Sequence, residues 1–371
     1  MPVDPGIRAL FVTKHLRVGG AQRNWTILLP ALGARGLRAR LITLEATGEF
    51  FEQVRADGVP VACAGMRGRL DLPAVRRAFA LDGWRPDVVV SHDERSHLVA
   101  RVLARRVGAP HVASDHGGPG FPLKPHRRAI LRMLAPGFAA VVTMSDQRVP
   151  DLIGYGFPRD RIHVVPNGID PEAVRPARSR RAVRSELGLP DDAFVAVLPA
   201  VLRPEKRAER FVHTVARAAA TEPRVRGLVV GYGPAEARVR ELAIESGDVV
   251  KVLGHRGDVP DLIAAADIVC LTSDLEGGPY AALEAMALAR PVAAMRAGAL
   301  GEMVVDGQTG VLVPPAQVGA LADALVTLAR DPARARALGA AGQARQRAHF
   351  DTGRMCDAYA RVIRAVCGDR A

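Results

Sequence analysis

Residues 274–289 read DLEGGPYAALEAMALA and hold the most informative pattern of the chain. They follow the apolar, partly β-branched run IVCLT at 268–272, which predicts a short buried strand. The two glycines and Pro279 predict a turn into an alanine-rich helix, with Pro279 in the first helical turn, where a missing N–H costs nothing. Because a helix start carries free N–H groups, this unit predicts a phosphate site with Glu276 and Glu284 on its two sides. The alternative is an ordinary turn carboxylate followed by a solvated helix residue.

The same alternation of strand and helix extends over the whole chain. The first half contains seven short apolar runs separated by amphipathic stretches, at residues 9–13, 39–44, 59–64, 87–91, 111–114, 139–144 and 162–165. A second series follows an arginine-rich polar stretch, at residues 194–198, 227–230, 249–253, 268–272, 291–294 and 310–313. Continuous apolar strands separated by helices predict parallel sheets covered on both faces. We therefore predict an α/β protein with two doubly wound domains and a ligand cleft between the carboxyl ends of their sheets.

Size and composition fit a globular protein with two domains. The 371 residues are too many for one ordinary core, and 49% hydrophobic with 24% charged residues is a normal balance. The best candidate for a membrane span, 129–144, is interrupted by Arg132 and Pro136, so none is predicted. Asp4 and Pro5 stand where a signal peptide needs basic and then apolar residues, so we expect a cytoplasmic protein. Four scattered cysteines without a CxxC pair suggest neither a zinc site nor disulfides.

The formal net charge of +12 is able to attract phosphates, anionic lipid head groups or nucleic acid. However, the basic residues are spread over many predicted helices, and only 4% of residues are aromatic, so few rings are available for base stacking. We therefore predict no nucleic-acid partner. The basic stretch KPHRR at 124–128 fits peripheral contact with the inner face of a membrane or with an anionic acceptor, and fits an ordinary solvated helix start equally well.

Two further features follow predicted strands and indicate an anionic ligand. Arg203 and Lys206 lie directly beyond the strand at 194–198, where fixed cations would stabilise the charge that develops on a departing diphosphate. The alternative, two solvated charges at a helix start, is disfavoured because cations oppose the helix dipole there. Gly19 and Gly20 follow the first strand and let the backbone approach an anion closely. Without a GxGxxG spacing they also fit a plain surface turn.

His116 comes just after the strand at 111–114 and begins a glycine-rich loop. Its place at the carboxyl end of a sheet strand directs it to the predicted cleft, where a neutral ring donates or accepts a hydrogen bond. Two interpretations stay open: His116 contacts the ligand, or it is a loop histidine that Asp115 orients. His15 and His92 are further candidates of the same kind.

Glu276 and Glu284 are eight positions apart, with a glycine-rich turn between them. This pattern resembles the paired-glutamate signature of retaining glycosyltransferases of the GT-B fold, family 4. The resemblance implies that Glu284 binds the ribose of a nucleotide sugar and that Glu276 lies against the transferred sugar. It also implies that the turn holds sugar and diphosphate, with donor contacts at Gly277, Gly278, Pro279, Tyr280 and Ala281. An aromatic residue often follows the first glycine in this family, and Gly278 replaces it here, so the sugar pocket differs in shape.

Arg203 and Lys206 are similar to the arginine-then-lysine element of the same family. The loop containing Gly19 and Gly20 resembles the one that closes over the donor diphosphate and helps to receive the acceptor. His116 resembles the histidine that contacts the transferred sugar near its 6-position. Four more stretches match the family pattern, as does the hinge: residues 231–234, 252–256, 298–302, 306–310 and 165–170. Arg256 falls where the backbone of the family holds the nucleobase.

The resemblance implies an N-terminal acceptor-binding domain at residues 1–170 and a C-terminal nucleotide-sugar-binding domain at 171–350. It also implies that the helical segment 351–371 crosses back to the N-terminal domain. The expected activity is transfer of a hexose or N-acetylhexosamine from a UDP-sugar, or another nucleotide diphosphate sugar, to an acceptor hydroxyl with retention. The acceptor is a polysaccharide, a lipid or a secondary metabolite.

No cofactor and no metal are expected, because the cations already neutralise the diphosphate. The acidic pair Asp274 and Glu276 nevertheless offers oxygen ligands that suit Mg²⁺ or Mn²⁺. Two rival functions stay open: a phosphorylase of the same architecture, and a non-catalytic protein that only senses the nucleotide sugar.

Overall fold

The computed structural model describes residues 6–45, 47–68, 71–78, 80, 83–118, 120 and 123–368. Asp4 and Pro5, on which the expectation about a signal peptide rests, lie outside these residues, as do Pro119 of the His116 loop and the last three residues. The chain forms two compact units. The first contains the chain up to Gly168 and again from Thr352 onward, and the second runs from Ile169 to Asp351.

The first unit is built on a parallel sheet of seven strands in the order β3-β2-β1-β4-β5-β6-β7. The strands are Ile7–Thr13 (β1), Leu37–Thr43 (β2), Val61–Cys63 (β3), Val88–Ser91 (β4), His111–Asp115 (β5), Ala140–Thr143 (β6) and Ile162–Val164 (β7). The central strands are buried along nearly their whole length, because a parallel sheet is covered by helices on both faces.

The second unit has a parallel sheet of six strands in the order β10-β9-β8-β11-β12-β13. The strands are Phe194–Pro199 (β8), Val225–Val230 (β9), Val250–Gly254 (β10), Ile268–Leu271 (β11), Val292–Met295 (β12) and Gly310–Val313 (β13). Every apolar run predicted as a strand is a strand. The predicted α/β architecture with two doubly wound sheets is therefore confirmed.

Helices connect the strands of both sheets. In the described residues, the α-helices of the first unit up to the hinge are Gly20–Ala31 (α1), Phe51–Ala56 (α2), Leu72–Ala78 (α3), Glu94–Val107 (α4), Pro125–Leu134 (α5) and Val149–Gly154 (α6). Those of the second unit are Arg180–Glu186 (α7), Ala208–Thr221 (α8), Glu236–Glu245 (α9), Val259–Ala265 (α10), Tyr280–Ala287 (α11), Leu300–Met303 (α12), Val318–Arg330 (α13) and Pro332–His349 (α14). The last helix is Thr352–Cys367 (α15). Among the residues described, no helix is both long and apolar enough to cross a membrane.

Helix α15 belongs to the core of the first unit. Its residues Met355, Tyr359 and Ile363 are buried in the same apolar cluster as Phe11 of β1 and Trp25 of α1. The helix is strongly amphipathic, and burying one apolar stripe of this kind is the usual source of helix stability in a folded domain. The end of the chain is thus a structural part of the first unit.

Both sheets reverse their strand order beside their first strand. In the first unit β1 pairs with both β2 and β4, and in the second β8 pairs with both β9 and β11. Ligands of open α/β sheets bind outside the carboxyl ends of the strands at such a reversal. The loops after β1 and β4, and those after β8 and β11, are therefore where this topology places functional side chains.

A buried polar cluster supports the core of the first unit. The hydroxyl of Ser91 lies 2.7 Å from Nδ1 of His97 and 2.7 Å from Nε2 of His111. Both imidazole rings also contact the ring of Phe138, with centroid distances of 5.2 and 4.5 Å. Burial lowers the pKa of His97 to about 4 and that of His111 well below its ordinary value. Both rings are therefore neutral in the folded protein at neutral pH.

This cluster predicts an acid-labile first unit. In the unfolded chain the histidines have a pKa of about 6.5 and bind protons more readily than in the folded protein. The free energy of unfolding is therefore greatest above about pH 6.5 and decreases as the pH falls toward about 4. We expect the melting temperature to drop across this window, and the drop to be shallower in His97→Asn. A matched substitution of the exposed His126 leaves the slope unchanged. If the melting temperatures of the unaltered protein and of the two variants fall in parallel with pH, His97 is not a cause of the acid lability.

Candidate active site

The loop after β8 carries Arg203 and Lys206, and the loop after β9 holds it in place. The N–H of Leu202 donates to the carbonyl oxygen of Tyr232 (2.8 Å), and the N–H of Ala235 donates to that of Leu202 (2.9 Å). Gly231 has φ of 139°, and a Cβ there would overlap the backbone of Ala200. The predicted stretch 231–234 therefore supports the loop of the two cations by close backbone approach.

The loop ends in a tight turn, Pro204–Lys206, followed by Arg207 in the left-handed region at φ 48°. Such a conformation is costly for a residue with a side chain and persists only when its surroundings enforce it. Two contacts from the loop after β11 do so: the hydroxyl of Thr272 donates to the carbonyl oxygen of Arg207 (3.0 Å), and Nε of Arg207 donates to Asp274 (2.5 Å). Arg210 binds the other oxygen of Asp274. The loops at the reversal of strand order are thus braced against each other.

Lys206 and Glu276 form an ion pair at this point. Nζ of Lys206 lies 2.8 Å from each carboxylate oxygen of Glu276. The hydroxyl of Ser273 donates to one of these oxygens at 2.6 Å, and the N–H of Ala299 donates to the Glu276 carbonyl at 3.0 Å. Glu276 is only 5% exposed. A buried carboxylate needs such partners, so Glu276 is a fixed group and not an ordinary turn residue.

Arg203 differs from its neighbours in lacking a carboxylate partner. Lys206 pairs with Glu276, and the two other cations of the segment, Arg207 and Arg210, pair with Asp274. In the part of the chain that the structure describes, the exposed Arg203 side chain makes neither an ion pair nor a hydrogen bond. Its guanidinium is therefore available to an external anion. Lys206 has three N–H donors, of which Glu276 takes two.

Helix α11 begins at Tyr280, so the expectation that Pro279 lies in the first helical turn is wrong by one position. Pro279 is the N-cap residue, with φ −69° and ψ 124°, and its carbonyl oxygen accepts the N–H of Ala282 (3.1 Å). A proline fits here as well, because the N-cap N–H is outside the helical hydrogen bonds. Gly278 has φ of 136°, a conformation that other residues rarely adopt. Glycine at position 278 fits this backbone without strain.

Four more residues of the predicted donor site lie at this helix start. Gly277, Gly278 and Ala281 are half-buried, and Tyr280 is buried. Glu284 is 3% exposed, so the interpretation of Glu284 as a solvated helix residue is wrong. The second unit therefore brings together Arg203, Lys206, Glu276 and the start of α11, with Glu284 buried further along the same helix.

Arg256 lies in a separate ion-pair group. Its guanidinium donates to both oxygens of Asp258 (2.8 and 2.7 Å) and to Glu186 (3.0 Å). These carboxylates raise the pKa of Arg256. These bonds use Nε and Nη2 and leave the two N–H donors of Nη1, so the role of Arg256 in donor binding remains a prediction.

Asp274 and Glu276, the possible metal pair, have different partners. Asp274 accepts from two guanidinium groups, and Glu276 accepts from Lys206. Both carboxylates are therefore charge-compensated by the chain itself. Within the described ranges, no three His, Cys, Asp or Glu side chains are grouped as ligands of a metal ion.

In the first unit, Gly19 and Gly20 form the start of α1. Gly19 is the N-cap residue with an extended backbone, and Gly20 is the first helical residue. A second loop braces this one: the N–H of Leu16 donates to the carbonyl oxygen of Thr47 (2.9 Å), and Gly48 passes so close that a Cβ would overlap Leu16. Sequence reasoning missed Gly48, because a single glycine in a loop carries no recognisable spacing.

His116 directly follows β5 and is half-buried. Its Nε2 lies 2.9 Å from the hydroxyl of Ser114, and its ring contacts that of His92 edge-on at 4.7 Å. Burial lowers the pKa of His116 well below its ordinary value, so the ring is neutral near pH 7. Asp115 binds Arg148 at 3.0 Å, and the side chain that contacts His116 by a hydrogen bond is Ser114, so the alternative in which Asp115 orients His116 is wrong.

Known proteins are similar to this chain in sequence and in fold. A family described as "Glycosyl transferases group 1" matches residues 179–345, and one described as "Glycosyltransferase Family 4" matches 18–173. A D-inositol 3-phosphate glycosyltransferase of Kineococcus radiotolerans is 32% identical over 95% of this chain and 92% of its own. A GDP-mannose-dependent monoacylated alpha-(1-6)-phosphatidylinositol monomannoside mannosyltransferase of Corynebacterium glutamicum is 30% identical over 67% of this chain and 68% of its own. The structure of Anabaena HepE with UDP and glucose superimposes with a TM-score of 0.84 at 24% identity, covering 96% of this chain and 98% of that one.

The chain belongs to family 4 of the retaining GT-B glycosyltransferases and is a hexosyltransferase. The predicted family and fold are thereby confirmed. The roles of the individual site residues remain predictions.

Lys206 has a carboxylate partner and Arg203 has none, so we expect substitutions of these two residues to change the free energy of unfolding by different amounts. Lys206→Met leaves a buried carboxylate without its counter-charge, and we expect a loss of about 1–3 kcal/mol in the free energy of unfolding, measured with urea. The matched change Arg203→Met breaks no ion pair and should cost less than about 0.5 kcal/mol. Adding Glu276→Gln to Lys206→Met should restore part of the loss. Equal effects of the two single substitutions would show that the ion pair does not form in solution.

Proposed function

We propose that this enzyme transfers a hexose or N-acetylhexosamine from a UDP-sugar to an acceptor hydroxyl, with retention of the anomeric configuration. The observation that carries the proposal is the Lys206–Glu276 ion pair beside the unpaired Arg203 and the start of α11. This group lies where β8 and β11 meet at the reversal of strand order. It combines cations and the positive end of a helix, which suit a diphosphate, with one carboxylate beside the sugar.

In the donor complex, the diphosphate binds Arg203, the third N–H of Lys206 and the positive end of helix α11. Glu284 binds the ribose hydroxyls. The backbone of residues 252–256 holds the nucleobase. Gly277 and Gly278 leave room for the sugar because they carry no side chain. Residues 171–350 thus form the donor domain, and residues 1–170 receive the acceptor.

The reaction breaks the bond between the anomeric carbon and the diphosphate oxygen and forms one to the acceptor oxygen on the same face. The acceptor proton passes to the departing diphosphate oxygen. Arg203, Lys206 and the helix start stabilise the negative charge that builds up on the diphosphate. Glu276 faces the positive charge at the anomeric carbon. Because both of its oxygens are bound to Lys206, Glu276 acts as a fixed charge and not as a nucleophile.

His116 contributes a neutral hydrogen bond to a hydroxyl of the transferred sugar. Its lowered pKa keeps it uncharged at the pH of the reaction, so it orients the sugar without adding positive charge beside the forming cation. Gly19 and Gly20 let the first helix approach the donor diphosphate and the acceptor.

The relatives indicate which nucleobase of the donor and which class of acceptor to test first. UDP is favoured because Anabaena HepE binds it, and GDP-mannose is the alternative because the C. glutamicum relative depends on it. A phosphorylated cyclitol, free or linked to lipid, is the first acceptor to test, since relatives act on D-inositol 3-phosphate and on a phosphatidylinositol mannoside. The net charge of +12 suits such an anionic acceptor.

Contact with a membrane would follow if the acceptor is a lipid. Helix α5 begins at Pro125 and exposes its basic residues together with Met133, which is 70% exposed. An anionic surface attracts basic segments of this kind, and an exposed apolar side chain adds contact with the acyl region. We propose that α5 supports peripheral binding to such a membrane on its cytoplasmic side.

The central test is turnover with excess EDTA present. We expect release of free UDP or GDP only when both a nucleotide sugar and the acceptor hydroxyl are added, and no loss of rate with the chelator, because Arg203 and Lys206 supply the charge that a metal would provide. Loss of activity in EDTA and its rescue by Mn²⁺ would overturn the metal-independent mechanism. Turnover of a sugar 1-phosphate without nucleotide would instead identify a phosphorylase.

The ribose role of Glu284 predicts a specific kinetic change. Glu284→Gln keeps the size of the side chain but removes its charge, so we expect the KM for the donor to rise roughly 10- to 100-fold, as for loss of a charge-assisted hydrogen bond. The KM for the acceptor should stay within a factor of about two. Glu241→Gln, at an exposed glutamate of α9, serves as the control. An unchanged donor KM would reject the ribose role.

A further inference from the structure

The last helix of the chain reaches the candidate sugar-binding histidine through two hydroxyl groups. The hydroxyl of Tyr359 in α15 lies 3.0 Å from the hydroxyl of Ser114, which in turn lies 2.9 Å from Nε2 of His116. Tyr359 is 1% exposed and Ser114 is fully buried. Tyr359 and Ser114 are 245 positions apart, so this contact exists only because α15 packs on the first unit.

The buried position of Tyr359 fixes the direction of this relay. Its O–H must donate to some acceptor, because a buried donor without one is costly. In the described part of the chain, the only partner of the Tyr359 hydroxyl is Ser114. Tyr359 therefore donates to Ser114. The single proton of Ser114 is then left for the other neighbour, which is Nε2 of His116.

A nitrogen that accepts a hydrogen bond carries no proton. The neutral imidazole of His116 therefore has its proton on Nδ1. Nδ1 makes no hydrogen bond to any residue that the structure describes, and the ring is half-buried, so Nδ1–H is the donor left for a ligand. Burial keeps the ring neutral and so preserves this tautomer.

We propose that Tyr359 and Ser114 are positioning residues that hold His116 in the Nδ1–H tautomer, so that it donates a hydrogen bond to the transferred sugar. The part concerning the sugar rests on the proposed function of His116. The tautomer itself does not. The C-terminal helix thereby contributes to the active site without touching the substrate.

The test is a long-range proton–nitrogen correlation spectrum of the full chain labelled with ¹⁵N-histidine at pH 7.5. The signals of His116 are assigned by their loss in His116→Asn. We expect protonation at Nδ1 in the unaltered protein. In Tyr359→Phe, which keeps the buried ring, the Ser114 hydroxyl becomes free to accept a hydrogen bond from Nε2–H, so signals of the Nε2–H form should appear.

Tyr155→Phe, at another buried tyrosine of the first unit, is the control and should leave the His116 spectrum unchanged. If Tyr359→Phe folds poorly, Ser114→Ala gives the same measurement, because it removes the group that keeps Nε2 unprotonated. Protonation of Nε2 in the unaltered protein would overturn the proposal. So would a His116 spectrum that is unaffected by both substitutions.

Kinetics separate the two parts of the proposal. We expect Tyr359→Phe to lower kcat roughly 2- to 10-fold, the value of one hydrogen bond, with little change in the donor KM. If the spectra agree with the relay but His116→Asn keeps full turnover, the relay stands and the proposed role of His116 in sugar binding fails. If kcat falls without a change of tautomer, Tyr359 acts only on packing and the relay is refuted.

Discussion

The ion pair between Lys206 and Glu276 is the interaction on which the second unit organises its loops. Burying a carboxylate is expensive, and a buried pair seldom adds net stability compared with apolar packing. Here the pair is surrounded by further fixed groups: Ser273 donates to Glu276, and Asp274 holds Arg207 and Arg210. Because burying these charges costs free energy, stability alone does not explain the arrangement. The need to hold the Glu276 and Lys206 charges at fixed positions explains it better.

The strand order of the second sheet brings these charged groups together. Parallel strands β8 and β11 are neighbours, and their carboxyl ends deliver two loops from distant parts of the sequence to one place. The loop after β8 is constrained by the left-handed backbone of Arg207 and by the close approach of Gly231 to Ala200. Preorganised charge of this kind stabilises a transition state without first having to reorganise. In the first unit, His92 and His116 likewise follow the carboxyl ends of neighbouring strands, β4 and β5.

Much of the fold was predictable because apolar runs of strand length alternate with helices along the whole chain. The bounds were less predictable: 59–64 was expected as a strand, but β3 covers only Val61–Cys63, because the N–H of Val59 bonds back to Val54 at the end of α2. In the site, Arg203, Lys206, Glu276 and Glu284 were predicted from their spacing, from their position relative to strands and from the family resemblance, and their roles remain predictions. Ser273, Arg207 and Tyr359 were not, because their roles depend on which distant groups the folded chain brings next to them.

The most direct measurement of the central claim is a crystal structure of the enzyme with a bound, non-hydrolysable UDP-sugar. We expect the diphosphate to lie within hydrogen-bond distance of Arg203 and Lys206 and beside the start of α11, with Glu276 beside the anomeric carbon and Glu284 on the ribose. A diphosphate bound elsewhere, or a Glu284 carboxylate that makes no contact with the nucleotide, would contradict it.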